Sequence, residues 1–310
     1  MESKSRNKKL IIKLVFGLAL LLFISFKVYA SATNEDFQNL NCSENYLSLF
    51  LIAVVLMPLN WAIESVKWHI LVSRIKPQPF IITFRDVLAG VSTSLLTPNR
   101  IGNFIGRTVR MEKKERTKAI VSTIHSNLAQ FAASILFGCI GLFLVVFDQD
   151  FVEISTVRLS AFCVLAGGLG LYYFPKIINF NPVSKLYSDQ LKEGIVEVQS
   201  ESFGLKTLIL FLSLLRYCVF IVQFYLLLLC FESNLEIGLI IPAISVVFLI
   251  TTIIPSFLFG KLFVREASAL FVLTSFGIST PVILYSVFIL WLLNLALPSI
   301  VGGLILMKSK

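Results

Sequence analysis

The sequence predicts an all-α, polytopic integral membrane protein with about six full spans, two broken or re-entrant helical hairpins and an inverted repeat. Of its 310 residues, 56% are hydrophobic and only 15% are charged, whereas soluble proteins average about 25% charged residues. Several apolar runs reach the roughly 20 residues that a helix needs to cross a bilayer. A pair of similar Pro- and Gly-containing motifs indicates the repeat.

Six apolar runs are predicted to cross the membrane completely. No interval between them has room for a separate soluble domain, so we expect residues 1–310 to form a single transmembrane domain. The polar interval 176–206 contains KLYSDQLKEGIVEVQS and predicts a cytoplasmic amphipathic connector. The predicted spans lie near residues 10–30, 47–67, 119–147, 158–175, 207–231 and 281–306.

The first run has a second interpretation. Its basic start, apolar stretch and Ala30-Ser31-Ala32 also resemble a signal peptide with its cleavage site. We interpret it as a retained span. Because this run lies outside both repeats, its cleavage would leave them intact.

The distribution of Lys and Arg predicts the orientation, because short loops rich in these residues stay on the cytoplasmic side. Intervals with acidic residues and neither Lys nor Arg are assigned to the outside. The protein is thus expected in the cell (inner) membrane with both termini cytoplasmic. The basic clusters fall in 4–9, 67–85, 107–118 and 308–310, and the acidic intervals are 31–46, 148–156 and 231–236.

Two motifs recur in the chain: TPNRIGNFIGR from Thr97 to Arg107 and IPSFLFGKLFVRE from Ile254 to Glu266. Their glycines lie 158 residues apart (260 − 102) and their arginines also lie 158 residues apart (265 − 107). Helix breakers at matching positions of two halves are typical of transporters with broken helices. The repeat halves are predicted at about 47–147 and 205–306, with helix breaks at Pro98, Gly102, Pro255 and Gly260.

Basic clusters flank residues 80–106 on both sides, so this segment is predicted to enter the membrane from the cytoplasm and return. Its turn is expected between Thr97 and Gly102, where Pro and Gly disfavour helix. The second motif is predicted to enter from the opposite face, with half-helices at about 237–254 and from about Glu266. Alternatively, Lys261 and Arg265 lie in a cytoplasmic loop between two complete spans, which gives eight spans.

Cationic residues in these motifs predict a site for an anion. Arg and Lys at the bilayer centre cost about 2.5–3.5 kcal/mol, so they should face protein or a wet cavity. Arg guanidinium groups match phosphate with two parallel hydrogen bonds, and helix amino termini add N–H groups. The predicted substrate-binding residues are Arg100, Arg265, Asn99, Asn103, Arg107, Lys261 and Glu266.

Structural explanations exist for several of these residues. Arg107 also suits an interfacial role with its charge in the headgroups, and Arg265 with Glu266 suits an internal ion pair. We interpret Glu64 and Lys67 as a structural ion pair on one helix face. Arg216 is predicted near the cytoplasmic headgroups, and Asn127, Gln130, His125 and Asn294 are predicted to join neighbouring helices.

Other chemistry has little support in the sequence. The two histidines are far apart, the five cysteines form no paired framework, and no P-loop is present. We therefore expect no catalytic residues, metal or cofactor. The basic cluster at 107–118 is juxtamembrane and predicts attraction to anionic lipid rather than nucleic acid.

The two motifs together resemble those of the transmembrane, flippase-like region of the bacterial lysylphosphatidylglycerol synthase and multiple peptide resistance factor family, in a stand-alone form. The resemblance covers roughly residues 10–306. It implies a polytopic helical fold and translocation of modified or glycosylated lipid. The chain departs from the family pattern at Asn103, where the family often has Glu, and in keeping only Gly260 of a glycine-rich second motif. These departures weigh against selection of a lysyl headgroup.

We expect a lipid translocase that moves an anionic or modified phospholipid, a glycolipid or a polyprenyl-phosphate lipid. The alternative is a non-catalytic accessory or scaffold subunit of lipid or cell-envelope polysaccharide synthesis. Both fit a membrane lipid partner and a separately encoded glycosyl- or aminoacyl-transferase. We do not expect an enzyme, because the aminoacyl-transferase domain of the full-length synthases has no counterpart in the sequence.

Overall fold

The computed structural model describes residues 43–308, apart from 96, 98–100, 146–153, 174–195, 197–199, 233 and 255–259. All regular structure in that part of the chain is helical. A π-helical turn, Leu292–Ala296, joins the last two helices into one long helix. The helices are α1 (Tyr46–Val72), α2 (Phe80–Leu95), α3 (Gly102–Arg107), α4 (Lys113–Leu144), α5 (Ile154–Tyr173), α6 (Phe203–Leu229), α7 (Ile237–Ile253), α8 (Gly260–Leu273), α9 (Thr280–Trp291) and α10 (Leu297–Lys308).

Four helices are long and apolar enough to cross a membrane: α1, α4 from Glu115, α6, and the joined α9 and α10. They coincide with four predicted spans and confirm an all-α polytopic membrane fold. Large apolar side chains such as Val55 and Phe211 are more than half exposed on them, as expected for helices that face lipid. α5 forms where another span is predicted. The first predicted span and most of the connector lie outside the described residues.

Both predicted hairpins are present as pairs of short helices. α2, α3, α7 and α8 have 16, 6, 17 and 14 residues, each fewer than the roughly 20 that a full span needs. The lengths therefore favour broken hairpins over the eight-span alternative. α8 begins at Gly260, earlier than the predicted start near Glu266, because no helix breaker lies between these two residues.

The order of elements repeats along the chain. α1 and α6 both have 27 residues, and their first residues lie 157 positions apart (203 − 46). The first residues of α2 and α7 are also 157 positions apart (237 − 80). The two equivalent long helices run antiparallel, since Tyr46 contacts Cys230 near one end and Asn60 contacts Arg216 further along. This antiparallel arrangement is what an inverted repeat requires. Which face is cytoplasmic stays a prediction.

The first arm of each hairpin packs on the last long helix of the other half. A Cβ atom on Gly302 of α10 would lie 1.9 Å from the carbonyl oxygen of Leu88 in α2. A Cβ atom on Gly141 of α4 would lie 2.6 Å from the carbonyl oxygen of Pro242 in α7. Glycine thus lets these helix backbones touch, as small residues do between membrane helices. These contacts between the two halves hold both hairpins in the middle of the protein.

Gly102, predicted at a helix break, lies where the two arms of the first hairpin touch. It is the first residue of α3, and its N–H donates to Thr97 Oγ1 at 2.6 Å while Thr93 Oγ1 donates to its carbonyl at 2.6 Å. A Cβ atom on Gly102 would lie 2.0 Å from the carbonyl oxygen of Thr93. Gly102 is therefore needed for close contact between the two arms, and its backbone polar groups are satisfied within the hairpin.

We expect Gly102→Ala to lower the free energy of unfolding by about 1–3 kcal/mol, because the added methyl group overlaps the backbone of α2. Thermal unfolding in detergent would measure the loss. Gly204→Ala is the matched control, since a Cβ atom there meets nothing within 4 Å. Equal midpoints for the two variants would contradict the close contact between α2 and α3.

Candidate functional site

A cavity of about 420 Å³ lies where the two hairpins meet the long helices. One wall comes from the hydrophobic cluster that contains Trp61 and Val91, and the other from the cluster that contains Tyr217 and Phe248. Both halves of the chain therefore build it. Its lining residues are Trp61, Glu64, Val91, Ser94, Asn103, Arg107, Asn127, Gln130, Phe131, Ser134, Arg216, Tyr217, Phe220, Phe248, Thr251, Thr252, Lys261, Arg265 and Leu295.

Four of the predicted substrate-binding residues line this cavity. Asn103 and Arg107 come from α3 in the first hairpin, and Lys261 and Arg265 come from α8 in the second. Residues at matching motif positions, 158 apart, thus face one space. Their role in substrate binding stays a prediction.

The other predicted site residues lie away from the cavity lining or outside the described residues. Glu266 is buried next to Arg265 and does not belong to the cavity lining. Arg265 lies over the Phe248 ring at 5.4 Å. The predictions for Pro98, Asn99, Arg100 and Pro255 concern positions outside the described residues.

Arg107 is held firmly in the cavity wall. Its Nη2 donates to Glu64 Oε1 at 2.7 Å, its Nε donates to Asn103 Oδ1 at 2.9 Å, and its guanidinium lies over the Trp68 ring at 5.4 Å. The side chain is only 3% exposed, so the interfacial explanation of Arg107 is wrong. Its buried Nη1 has no hydrogen-bond partner in the described part of the chain.

Glu64 joins three cations. Its carboxylate lies 2.7 Å from Arg107 Nη2, 2.9 Å from Lys67 Nζ and 3.1 Å from Arg216 Nη1. The predicted ion pair with Lys67 is therefore confirmed, but it is one part of a larger group. Glu64 is 2% exposed, and a carboxylate at that depth is stable only when it is paired.

Arg216 lies in the protein centre, and its predicted place near the headgroups is wrong. It is the middle residue of α6, thirteen residues from either end (229 − 216 and 216 − 203). Its Nε donates to Asn60 Oδ1 at 2.7 Å, and its guanidinium lies over Trp61 and Phe220 at 5.1 and 5.3 Å. An Arg so deep in a membrane helix needs partners from other helices, and α1 supplies them.

A chain of buried amides continues from Arg216 through the core. Asn60 Nδ2 donates to Asn294 Oδ1 at 3.0 Å, and Asn294 Nδ2 donates to Gln223 Oε1 at 2.8 Å. Asn294 thus joins helices as predicted, from within the π-helical turn. Such turns often mark functional positions. These amide hydrogen bonds fix the position of α1 along α6, and they therefore fix the position of Glu64.

The remaining predicted interhelical residues divide into two groups. Gln130 donates to the Ser213 carbonyl at 3.3 Å and, like Asn127, lines the cavity. His125 lies away from the cavity lining, with its Nδ1 2.7 Å from Glu201 Oε2 and its ring stacked on Tyr172.

The lining carries an excess of positive charge. Among the described lining residues, Arg107, Arg216, Lys261 and Arg265 are cationic and Glu64 is the acidic residue, so their formal sum is +3. Aromatic side chains complete the walls: Trp61, Phe131, Tyr217, Phe220 and Phe248. In the described part of the chain, no group of three or more His, Cys, Asp or Glu is placed to hold a metal ion. The arrangement suits an anion with an apolar attachment.

The cavity reaches the outer surface of the protein beside α4. Asn127 and Phe131 line the cavity and are also exposed, Phe131 by 43%. Both lie near the middle of α4, while α7 touches α4 further along, where a Cβ atom on Gly138 would lie 2.5 Å from Leu249 Cβ. The exposed lining residues therefore lie at mid-helix depth on α4, which is the depth of the lipid tails for a helix that crosses the membrane.

Comparison with known proteins identifies the family. A search of the curated proteins found no match. The family model described as the lysylphosphatidylglycerol synthase TM region matches residues 10–302, which is nearly the whole chain. With its helical membrane fold and paired hairpins, the chain therefore belongs to the lysylphosphatidylglycerol synthase TM region family.

Proposed function

We propose that the protein is a flippase-like lipid translocase that moves an anionic or modified phospholipid, a glycolipid or a polyprenyl-phosphate lipid across the membrane. Its family consists of membrane proteins associated with lipid modification or translocation. The observation that carries the proposal is the cationic cavity, which both hairpins line and which opens beside α4 at mid-helix depth. A soluble anion would not need an opening toward the lipid tails.

In this proposal the headgroup phosphate binds the cationic side chains while the tails leave the cavity beside α4, past Asn127 and Phe131. Arg107 and Arg265 come from opposite hairpins, so one phosphate contacts elements of both halves. Movement of either hairpin then exposes the same contacts to one face or the other, as in transporters built from inverted repeats.

The contacts of Asn103 favour a phosphate over a lysyl headgroup. The amide oxygen of Asn103 accepts a hydrogen bond from Arg107 and so supports a cation of the protein rather than one of the substrate. The carboxylate of Glu64 is already bound to three cations. The lining therefore offers a cationic headgroup little compensation for its desolvation.

The proposal also assigns the protein a place in lipid synthesis. It acts as a transporter rather than an enzyme, in the cell (inner) membrane with both termini cytoplasmic. A separately encoded glycosyl- or aminoacyl-transferase would modify the lipid that it moves.

The test is lipid translocation in liposomes. Purified protein is reconstituted with fluorescent phosphatidylglycerol, phosphatidylcholine, an aminoacylated lipid or a polyprenyl phosphate, and quenching from outside reports the lipid that changes leaflet. We expect anionic phosphate lipids to move faster than zwitterionic ones. We expect Arg265→Gln to slow that movement about tenfold, which corresponds to about 1.4 kcal/mol.

Arg85→Gln is the matched control for charge, because Arg85 is exposed on α2 and lies outside the cavity lining. If folded wild-type protein moves no lipid, the translocase proposal fails and the accessory or scaffold role takes its place. If Arg265→Gln and Arg85→Gln act alike, the cavity is not the route.

A further inference from the structure

Glu64 occupies a position that suits a phosphate group. Arg107 binds its Oε1 at 2.7 Å and Arg216 binds its Oε2 at 3.1 Å, so two guanidinium groups hold the two oxygens of one anion. Arg107 comes from the first half and Arg216 from the second. Proteins bind phosphate in the same way, with guanidinium groups that donate to its oxygens.

The two arginines have more binding capacity than Glu64 uses. Arg107 Nη1 is buried and has no hydrogen-bond partner within the described residues, although Arg107 lines the cavity and is only 3% exposed. A buried donor without a partner is energetically unfavourable. A carboxylate has two oxygens, whereas a phosphate monoester or diester can present further acceptors. An anion at the Glu64 position with more than two acceptor oxygens would have one to offer to this donor.

Lys67 gives Glu64 a second place to bind. It holds Glu64 Oε2 at 2.9 Å from the same face of α1, and it is anchored by the Ser126 carbonyl at 3.3 Å and Ser213 Oγ at 3.2 Å. Lys67 is 1% exposed and does not line the cavity. If both arginines bound another anion, Lys67 would still neutralise Glu64.

We propose that the position of Glu64 between Arg107 and Arg216 is a phosphate subsite of the cavity, and that Glu64 is a resident anion which the phosphate displaces toward Lys67. The inference rests on the proposed function for the lipid source of the phosphate. The position in α6 that matches Glu64 is Ile221 (64 + 157), so the resident carboxylate belongs to the first half alone.

The double variant Glu64→Gln/Lys67→Met tests this displacement. It removes one negative and one positive charge and so keeps the formal charge of the site. If charge alone set the affinity, the variant would bind phosphate as the wild type does. If Glu64 competes with phosphate, the variant should bind about tenfold more tightly, whereas Lys67→Met alone should bind more weakly.

Binding is measured in detergent with two probes, glycerol 3-phosphate and dihexanoyl phosphatidylglycerol. Tryptophan fluorescence reports it directly, because Arg216 lies 5.1 Å from the Trp61 ring and Arg107 lies 5.4 Å from the Trp68 ring. Tighter binding of the lipid alone would assign the subsite to a headgroup with tails, and tighter binding of both would assign it to phosphate in general. Unchanged affinity for both probes would overturn the displacement.

A second measurement keeps the test decisive if the double variant folds poorly. In otherwise wild-type protein, Trp61→Phe and Trp68→Phe each remove one reporter. Phosphate should still change the emission in both variants, at Trp68 or at Trp61, because each of the two arginines exchanges Glu64 for phosphate. No change in either variant would also overturn the subsite. Because these assays measure binding alone, tighter binding without translocation would disprove the proposed function and leave the subsite standing.

Discussion

Glu64→Gln is expected to lower the free energy of unfolding by about 3–5 kcal/mol, because it removes the carboxylate that pairs with Lys67, Arg107 and Arg216. Lys67, Arg107 and Arg216 all lie within 3.1 Å of this carboxylate, and Lys67 and Arg107 are at most 3% exposed. An amide keeps the shape and some hydrogen bonds but leaves the positive charges uncompensated. Thermal unfolding of the variant in detergent should show a much lower midpoint than the wild type.

Two other variants separate charge compensation from a general loss of packing. Glu44→Gln changes an exposed carboxylate and should leave the midpoint near the wild-type value. Glu64→Gln/Lys67→Met should recover part of the loss, because it removes one of the uncompensated cations together with the carboxylate. If Glu64→Gln is as stable as Glu44→Gln, the carboxylate does not hold these helices together.

The hairpins and four cavity residues followed from the spacing of two short motifs. Pro and Gly disfavour helix wherever they occur inside an apolar run, so both breaks were readable from local sequence. The equal spacing of Gly102 and Gly260 and of Arg107 and Arg265 then placed the two hairpins in equivalent positions. α3 and α8 do bring Asn103 and Lys261, also 158 apart, to the same cavity.

Glu64 was not predicted to lie with Arg107 and Arg216, because Glu64 and Arg216 lie 152 positions apart in the chain. The span that contains Arg216 was predicted to begin at 207, whereas α6 begins at Phe203, so the arginine lies deeper than expected. A signal was nonetheless present. Glu64 is the one acidic residue in the six predicted spans, and a buried Arg in a membrane helix requires a partner.

The roles of glycine show a second limit of local reasoning. Gly102 is predicted at a helix break, and in the structure it begins α3 and allows contact with the carbonyl of Thr93. Sequence pattern indicates that an element ends near a glycine; only the packed neighbour shows why a larger side chain is excluded there.

Arg107→Gln is expected to slow translocation of anionic lipids about 10- to 100-fold, since a hydrogen bond to a charged group contributes about 1.5–3 kcal/mol. The variant should still fold, because Glu64 keeps Lys67 at 2.9 Å and Arg216 at 3.1 Å. The liposome assay with fluorescent phosphatidylglycerol measures the rate. The matched exchange Arg85→Gln, exposed on α2, should leave that rate near the wild-type value.

Arg107→Lys distinguishes charge from geometry at this position. Lysine keeps the positive charge but loses the planar fork that donates to Glu64 and Asn103 at once. Its rate should therefore lie between those of wild type and Arg107→Gln. A wild-type rate for Arg107→Lys would mean that charge alone attracts the lipid, and wild-type rates for both variants would remove Arg107 from the route. An intermediate rate requires guanidinium contacts during transport, which is what a phosphate bound between Arg107 and Arg216 would provide.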